Sequence, residues 1–250
     1  AGFRDADGTA PPAAGEESGI REEAPATVQL DPTGVQELFA RLAALAAPSR
    51  LLAVVDVSAS MEAPVGDGTR ATLARDAAKS ALALIPGRSA IGLWVFAREL
   101  GGGTDWQELV PIRTLDTQID GRTQRDVLQE QADSFPSRLS PGGTGLYDTT
   151  LAAVRKARVD FDPTAVNTVV VITDGQDEDD GSIGLDGLLQ TLAAEADPGR
   201  PIKVIGIALG PEADLSALQR IGEATGGDAY SAVDENDLQT VLFDALRQRG

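Results

Sequence analysis

Residues 54–60 read Val-Val-Asp-Val-Ser-Ala-Ser, and this stretch decides how the rest of the chain is interpreted. Residues 51–57 form a short apolar run that only Asp56 interrupts, which is typical of a β-strand buried on both faces. Two hydroxyl side chains, Ser58 and Ser60, follow the aspartate at alternate positions. In an extended turn this spacing can bring three oxygen atoms to one point. The stretch therefore predicts a polar site at the end of a buried strand.

Strand and helix signals alternate regularly after this stretch. Apolar runs predict strands at 91–96, 168–173, 202–209 and 229–232, with a pairing segment at 108–111. Amphipathic patterns predict helices at 69–85, 125–135, 147–159, 185–196, 215–224 and 238–246. Such alternation predicts an α/β fold of the Rossmann-like, doubly wound type, in which a mostly parallel central sheet is flanked by helices.

Polar residues at the carboxyl ends of the strands are candidates for function, because open α/β sheets bind their ligands there. The strand at 168–173 is followed by a carboxylate and a glycine turn, in the sequence Thr-Asp-Gly at 173–175. The glycine-rich segment 140–148 enters a helix and can bring a threonine hydroxyl to the same rim. Two carboxylates and three hydroxyls suit a small divalent cation. The candidate metal ligands are Asp56, Ser58, Ser60, Thr144 and Asp174.

Each of these elements also has an ordinary structural interpretation. Ser58 or Ser60 can cap a helix or satisfy a turn, and Asp56 and Asp174 can be plain acids at strand exits. Thr144 can belong to an ordinary helix entry. The order of the five residues, each at a predicted strand end or helix entry, favours the metal site.

The composition excludes several other chemistries. The 250 residues contain no histidine and no cysteine, which excludes His-based catalysis, thiol chemistry, disulfides and zinc sites built from these residues. The formal net charge of −18 repels nucleic acid and anionic lipid, so we expect neither as a partner. No apolar run approaches the roughly 20 residues that span a bilayer, and we expect no direct membrane insertion.

The first 47 residues differ from the rest of the chain. Residues 1–32 are interpreted as a linker and the tail of a preceding domain, because residues 6–25 are rich in Ala, Gly, Pro and Glu. Residues 33–47 predict a helix that leads into the domain, and residues 48–250 are interpreted as the domain itself. Since the chain opens at Ala1 without methionine, we expect it to be a piece of a longer precursor.

The five candidate ligands resemble the metal-ion-dependent adhesion site (MIDAS) of von Willebrand factor type A (VWA) domains. They stand as Asp56-x-Ser58-x-Ser60, as Thr144 within GGTGLYD, and as Asp174 within ITDG. The resemblance covers about residues 48–250 and implies the VWA fold with an intact MIDAS. One departure is Ala59, where many members have glycine, and alanine costs stability there if the residue needs a positive φ.

The resemblance also implies a function. It implies a bound divalent cation, with Mg²⁺ as the first choice and Mn²⁺ or Ca²⁺ as alternatives. It further implies adhesion or interaction without catalysis, in which a protein ligand donates a carboxylate oxygen to the metal. We therefore expect that this protein is not an enzyme.

A narrower similarity concerns the origin of the chain. Four segments, at residues 92–97, 142–154, 171–180 and 185–198, are similar to actinobacterial surface proteins in which a solute-binding-like domain precedes a C-terminal VWA domain. This similarity implies an extracytoplasmic, cell-surface location and a solute-binding-like domain in the parent chain.

Three alternatives stay open at this point. The site can merely stabilise an interaction or scaffolding domain, or the chain can be the VWA subunit of a chelatase-like ATPase assembly, which requires an ATPase partner. It can also be a phosphatase-like α/β enzyme in which Asp56 accepts a phosphoryl group. That chemistry usually needs a second aspartate two residues on, where this chain has Ser58.

Other noticeable residues are interpreted as structural. The acidic residues 177–180 predict a solvated loop in preference to a second cation site. Trp94 and Trp106 are interpreted as packing residues and not as a sugar platform. We expect the three arginines on segments near the predicted rim to be ordinary surface residues; they are Arg70, Arg75 and Arg98.

Overall fold

The computed structural model describes residues 48–233 together with residues 237, 238 and 241, all of them within the unit Ala44–Gly250. The linker predicted at 1–32, the helix predicted at 33–47 and most of the helix predicted at 238–246 lie outside the described residues. The start of the domain at residue 48 stays a prediction.

The described chain contains one large sheet and two short hairpins. The large sheet has the strand order β10-β9-β8-β1-β4-β5, and its neighbours are parallel except for β4 and β5. This arrangement confirms the mostly parallel α/β sheet that the sequence predicts. The hairpins β2–β3 and β6–β7 were not indicated by the sequence patterns. The strands are β1 (Ser49–Asp56), β2 (Pro64–Val65), β3 (Gly68–Thr69), β4 (Ala90–Phe96), β5 (Trp106–Thr114), β6 (Gln118–Ile119), β7 (Arg122–Thr123), β8 (Val166–Thr173), β9 (Lys203–Leu209) and β10 (Asp228–Ala232).

Five α-helices of the described chain begin and end within about two residues of the predicted bounds. Two of them begin with a threonine cap: the side chain of Thr69 accepts the N–H of Thr72, and that of Thr123 accepts the N–H of Asp126. Within the described residues, no helix has the length and apolar character that a membrane span requires. The helices are α1 (Arg70–Leu84), α2 (Gln124–Asp133), α3 (Leu146–Val159), α4 (Gly184–Ala194) and α5 (Leu215–Thr225).

Helices cover both faces of the sheet, which explains the continuous apolar runs of the central strands. Val55 of β1 faces one apolar cluster that includes side chains of α1 and α2. Its neighbour Val54 faces a second cluster with side chains of α3, α4 and α5. All seven residues of β4 are buried. Side chains of successive strand residues point to opposite faces, so both faces of a central strand must be apolar.

The sheet places a crevice beside the end of β1. The chain passes from β1 to β4 on one side and later reaches β8 on the other side of β1. At such a reversal of strand order the loops diverge and leave room for a ligand. The register pairs Val55 of β1 with Ile172 of β8, so that the next residues, Asp56 and Thr173, end the two strands at the same level. The fold therefore positions the predicted site at this edge.

Candidate metal centre

Asp56 is the last residue of β1 and is fully buried. Its Oδ1 accepts a hydrogen bond from the backbone N–H of Ser58 at 2.8 Å, and its Oδ2 accepts one from the hydroxyl of Thr173 at 2.6 Å. Burial raises the pKa of Asp56 to about 6, although these hydrogen bonds lower it in part. The protein's own groups therefore stabilise the negative charge of this carboxylate incompletely.

Two serine hydroxyls lie in the segment that follows β1. Ser58 is buried, and its backbone pairs with Ser140 in an isolated parallel bridge. Ser60 lies two residues further along, in the short 3₁₀ helix Ala59–Glu62. The Oγ atoms of the two serines are 2.9 Å apart, so the segment directs both hydroxyls to the same point.

The alanine that departs from the family pattern is not strained. Ala59 lies between the two serines at the start of the 3₁₀ helix. In the described chain the non-glycine residues with a positive φ are Glu99 and Asp120, so Ala59 has an ordinary backbone conformation. Glycine is therefore not required at this position, and the expected stability cost does not arise.

Thr144 reaches the serines from the glycine-rich segment before α3. It is buried, and its Oγ1 donates to Ser58 Oγ at 3.3 Å. Its carbonyl oxygen accepts the N–H of Glu178 at 2.7 Å, which ties the segment to the loop after β8. Gly142 lies against the loop after β4, because a Cβ there would come within 2.8 Å of the Arg98 carbonyl oxygen. A side chain at this glycine would displace the segment that carries Thr144.

Asp174 directly follows β8 and is fully buried. Its Oδ1 accepts the hydroxyl proton of Ser60 at 2.7 Å, and its Oδ2 accepts the guanidinium of Arg70 at 2.8 Å. Since Ser60 donates to Asp174, Ser58 must donate to Ser60, and Thr144 donates to Ser58. The three hydroxyls form a chain that ends on this carboxylate.

The structure brings the five predicted ligands together. Asp56 joins the group through its hydrogen bond with Ser58, and it lies near enough to Asp174 for that charge to contribute to raising its pKa, after burial as the main cause. The five side chains come from three segments of the chain: the end of β1 and the turn after it, the entry to α3, and the end of β8.

The expectation for Arg70 was wrong. It is buried, with 8 % of its surface exposed, and its guanidinium contacts both Asp174 and Glu212. Sequence position places three arginines near the rim, but it does not reveal which of them faces a buried carboxylate. Arg98 is exposed and Arg75 pairs with the next residue along α1, as expected for surface arginines.

Two further contacts of the site were missed by the sequence analysis. Thr173, which donates to Asp56, had a signal: it is a hydroxyl residue at the end of an otherwise apolar strand. Glu212, in the loop after β9, had none, because its side chain is 64 % exposed and resembles many other surface acids of this chain.

The residues present fit a small divalent cation. The converging donors are hydroxyl and carboxylate oxygens, which Mg²⁺ prefers in proteins. Asp56 and Asp174 place two negative charges in the interior, and the guanidinium of Arg70 is shared between Asp174 and Glu212. Buried charges require counter-charges, and the hydroxyls supply none. A divalent cation would provide the missing positive charge.

A second acidic group lies next to the segment that carries Thr144. Carboxylate oxygens of Asp105, Asp148 and Asp179 lie within 4.8 Å of one another. Asp105 is buried, and its Oδ1 accepts the backbone N–H of Glu99 at 2.8 Å. A Cβ on Gly145, the residue after Thr144, would lie 2.4 Å from the Asp105 carboxyl carbon.

Asp177 corrects the expectation of a solvated acidic loop. It is half-buried, and its Oδ1 accepts the N–H groups of Leu146 at 2.8 Å and Tyr147 at 3.3 Å. These are the first two residues of α3, so Asp177 satisfies the free backbone donors of that helix. Glu178 and Asp180 are exposed, as the prediction requires.

The two tryptophans pack inside the molecule as expected. Trp94 and Trp106 stack with their ring centroids 5.8 Å apart and their planes 7° from parallel. Trp94 is buried, and its Nε1 donates to Glu108 at 3.2 Å. The stack joins β4 to its antiparallel neighbour β5, and the packing interpretation is confirmed.

Comparison with known proteins identifies the fold. A scan of protein-family models gives no match, and a search of curated proteins gives none. Among solved structures, the conserved hypothetical protein BatB from Bacteroides thetaiotaomicron is similar at 19 % identity, with 80 % of this chain and 98 % of that chain covered and a TM-score of 0.60.

Two further structures carry the family name or the site in their descriptions. A von Willebrand factor type A structure from Catenulispora acidiphila is 19 % identical, with 81 % of this chain and 43 % of that chain covered and a TM-score of 0.62. Proximal thread matrix protein 1 from the mussel byssus, described with a zinc-occupied MIDAS motif, is 16 % identical, with 80 % and 47 % covered and a TM-score of 0.53. The chain therefore has the fold of von Willebrand factor type A domains.

Proposed function

We propose that this chain binds a protein ligand through a divalent cation held at an intact MIDAS, and that it catalyses no reaction. The observation that carries the proposal is the meeting of Asp56 and Asp174, both fully buried, with three hydroxyls at the crevice beside β1. These five side chains come from three segments of the chain that meet at one edge of the sheet.

Mg²⁺ is the proposed ion, with Mn²⁺ or Ca²⁺ as alternatives. Ser58, Ser60 and Thr144 would hold it with neutral oxygens, and Asp56 and Asp174 would balance its charge. When bound, the cation supplies a positive charge that a carboxylate of the partner can contact. The zinc-occupied MIDAS described for the mussel byssus protein supports a metal at a site of this type.

The proposed partner is a protein that presents one acidic side chain to the cation. The surroundings of the site then set specificity, because Glu62 and Gln176 are exposed and Tyr147 is half-buried near the same rim. Since the chain carries a formal net charge of −18, acidic partners are repelled at long range and the cation must act at short range.

The structure favours binding over phosphoryl transfer. Asp56, the residue that would accept a phosphoryl group, is fully buried, and both of its carboxylate oxygens accept hydrogen bonds from the protein. Position 58, where such enzymes place an acid, carries a serine whose hydroxyl belongs to the chain ending on Asp174. An assay with an aryl phosphate is expected to give no hydrolysis above background.

We further propose that the domain works outside the cytoplasm, behind a solute-binding-like domain of the parent chain. An aerotolerance-related membrane protein from Bacteroides fragilis is similar in fold, with 17 % identity and a TM-score of 0.59, which supports an association with membranes or surfaces. Protease treatment of intact source cells tests the location, because a surface domain is cleaved without lysis.

Calorimetry on the metal-stripped chain tests the cation site. Titration with Mg²⁺ should show one binding event in the wild type and none in Asp174→Ala, whereas Asp180→Asn, an exposed acid of the same loop, should bind normally. Unchanged binding in Asp174→Ala would refute the assignment of the site.

Capture of surface proteins with and without EDTA tests the ligand. A partner that binds in Mg²⁺ and is released by EDTA should lose affinity for this domain when one particular exposed acid of the partner is replaced. That loss should vanish in EDTA. Equal affinity with and without metal would show that the domain binds through another face. An ATPase that binds this domain and hydrolyses ATP would favour the chelatase-like alternative.

A further inference from the structure

Arg70 occupies a position that the stability of its own helix does not explain. It is the first residue of α1, where the positive end of the helix dipole disfavours a cation. Its side chain is nevertheless buried, and its Nε lacks a hydrogen-bond partner, which costs free energy. Both penalties are tolerated, so the contacts of the guanidinium itself must account for the residue.

The guanidinium joins the candidate cation site to the loop after β9. Its Nη1 donates to Asp174 Oδ2 at 2.8 Å, and its Nη2 donates to Glu212. Gly210 of the same loop has a φ of +82° and lies against the guanidinium, because a Cβ there would stand 3.0 Å from Nη2. Glycine at this position therefore leaves the space that the arginine fills.

The two acids that Arg70 contacts differ in their exposure to water. The side chain of Asp174 is fully buried, whereas that of Glu212 is 64 % exposed. Water screens the contact with Glu212 far more than the buried contact with Asp174. The charge of Arg70 therefore acts mainly on Asp174, and a cation at the site would meet a like charge behind that carboxylate.

We propose that Arg70 is a built-in counter-ion that sets the affinity of the site for its cation. This inference rests on the proposed function, because it concerns the same cation site. Arg70 holds Asp174 through Oδ2 while Ser60 holds Oδ1, so it is a positioning residue. It also cancels part of the charge of Asp174, which weakens cation binding and leaves the bound cation with more positive charge for a ligand carboxylate. Glu212 reduces the effect of Arg70 on Asp174, because its negative charge pairs with the same guanidinium.

Calorimetric titration of the full chain with Mg²⁺ tests the proposal. Arg70→Gln should bind Mg²⁺ about tenfold more tightly than the wild type. This factor corresponds to about one pKa unit, the lower end of the shift that one nearby charge causes in a carboxyl group. Arg70→Lys keeps the charge and should bind close to the wild type. Arg75→Gln is the matched control, because Arg75 lies on the same helix and pairs with Asp76. A merely structural role for Arg70 would weaken binding in Arg70→Gln.

A second variant changes Glu212, the exposed acid that pairs with the Arg70 guanidinium. Glu212→Gln removes a negative charge that offsets Arg70, so Mg²⁺ should bind about threefold more weakly, as expected for one partly exposed charge. The matched control is Glu223→Gln, an exposed acid on α5 near the opposite end of the sheet, which should leave the affinity unchanged.

The outcomes separate this inference from the proposed function. A wild type that binds no Mg²⁺ overturns both. A wild type that binds, with equal or weaker binding in Arg70→Gln or with equal or tighter binding in Glu212→Gln, overturns the counter-ion role alone. If Arg70→Gln does not fold, the comparison of Glu212→Gln with Glu223→Gln decides the proposal by itself.

Discussion

Two groups of aspartates lie at the same edge of the sheet, and their environments differ. Asp56 and Asp174 are fully buried and accept hydrogen bonds from hydroxyls and a guanidinium of other segments. In the second group, Asp105, Asp148 and Asp179 accept backbone N–H groups, and the last two are half-buried. The first pair therefore contacts mainly side chains, with one backbone N–H on Asp56, whereas the second group accepts backbone N–H groups and two of its three members are open to solvent.

The difference teaches how the proposed cation site differs from a structural cluster of acids. Backbone N–H groups satisfy a carboxylate locally, and water screens the repulsion that remains. Full burial removes that screening, so the charges of Asp56 and Asp174 need a counter-charge of more than one shared guanidinium. Proximity of acids is common to both groups, whereas the full burial of every carboxylate distinguishes the first, because Asp105 is the one buried member of the second.

The largest expected effect is the loss of cation-dependent stability in the first group. Asp56→Asn should abolish the stabilisation by Mg²⁺, which for the wild type is about 2.7 kcal/mol at a free concentration of about 100 times Kd. Thermal denaturation with Mg²⁺ and with EDTA measures the difference within each variant, so that any intrinsic loss of stability cancels. A Mg²⁺-dependent shift in Asp56→Asn equal to that of the wild type would show that the cation binds elsewhere.

The next effect concerns the segment that carries Thr144 between the two groups. Gly142→Ala places a Cβ within 2.8 Å of the backbone oxygen of Arg98, and a backbone atom cannot move aside cheaply. We expect a loss of about 2 kcal/mol in the free energy of unfolding, together with weaker Mg²⁺ binding. Urea denaturation and calorimetry measure the two effects.

A matched control exists for this glycine. Gly199→Ala meets a single atom within 4 Å, the end of the flexible Asp197 side chain at 3.3 Å, and should cost far less stability. Normal stability and normal Mg²⁺ affinity in Gly142→Ala would show that the segment tolerates displacement and that its position is not what directs Thr144.

A smaller effect is expected at Asp177, which lies outside both groups but, like the second group, accepts backbone N–H groups. Asp177→Ala removes the acceptor for the N–H groups of Leu146 and Tyr147 and should cost about 1 kcal/mol. The loss should be the same in Mg²⁺ and in EDTA, because the residue holds α3 and not the cation. Asp177→Asn keeps an acceptor and should lose less. A loss seen only in Mg²⁺ would assign Asp177 to the cation site.

The sequence predicts the fold and the five ligands because both depend on local patterns. Apolar runs place the strands, and in a doubly wound sheet the residues that follow them must meet at one edge. Asp56 and Asp174 could therefore be paired without coordinates, although 118 positions separate them in the chain. The glycines before Thr144 likewise predict that two backbone segments approach closely. Gly142 lies in this way against the backbone of Arg98.

The remaining contacts depend on geometry that no local pattern contains. Arg70 stands in the first turn of an amphipathic helix, and its burial follows from the direction of that turn relative to Asp174. Glu212 accepts a hydrogen bond from this guanidinium, but the composition of its loop gives no sign of that contact. The short hairpins β2–β3 and β6–β7 have two residues in each strand, too few for a period to be recognised.

The smallest expected effect tests the second group directly. Asp179→Asn should leave Mg²⁺ binding unchanged, because the carboxylates of this group accept backbone N–H groups and lie outside the hydroxyl chain. Burial raises the pKa of Asp105, and the charges of Asp179, Asp148 and Glu99 raise it further, so removing one of these charges should relieve repulsion. We expect the free energy of unfolding to rise by about 0.3 kcal/mol at a pH above the pKa of Asp105, where its carboxylate is ionised. The gain should disappear as the pH falls through the pKa of Asp105, because a protonated Asp105 carries no charge for Asp179 to repel. Urea denaturation of Asp179→Asn and of the wild type, at one pH above and one pH below the pKa of Asp105, measures this gain.

A loss of Mg²⁺ binding in Asp179→Asn would show that the second group holds a cation, and the distinction drawn from burial would fail.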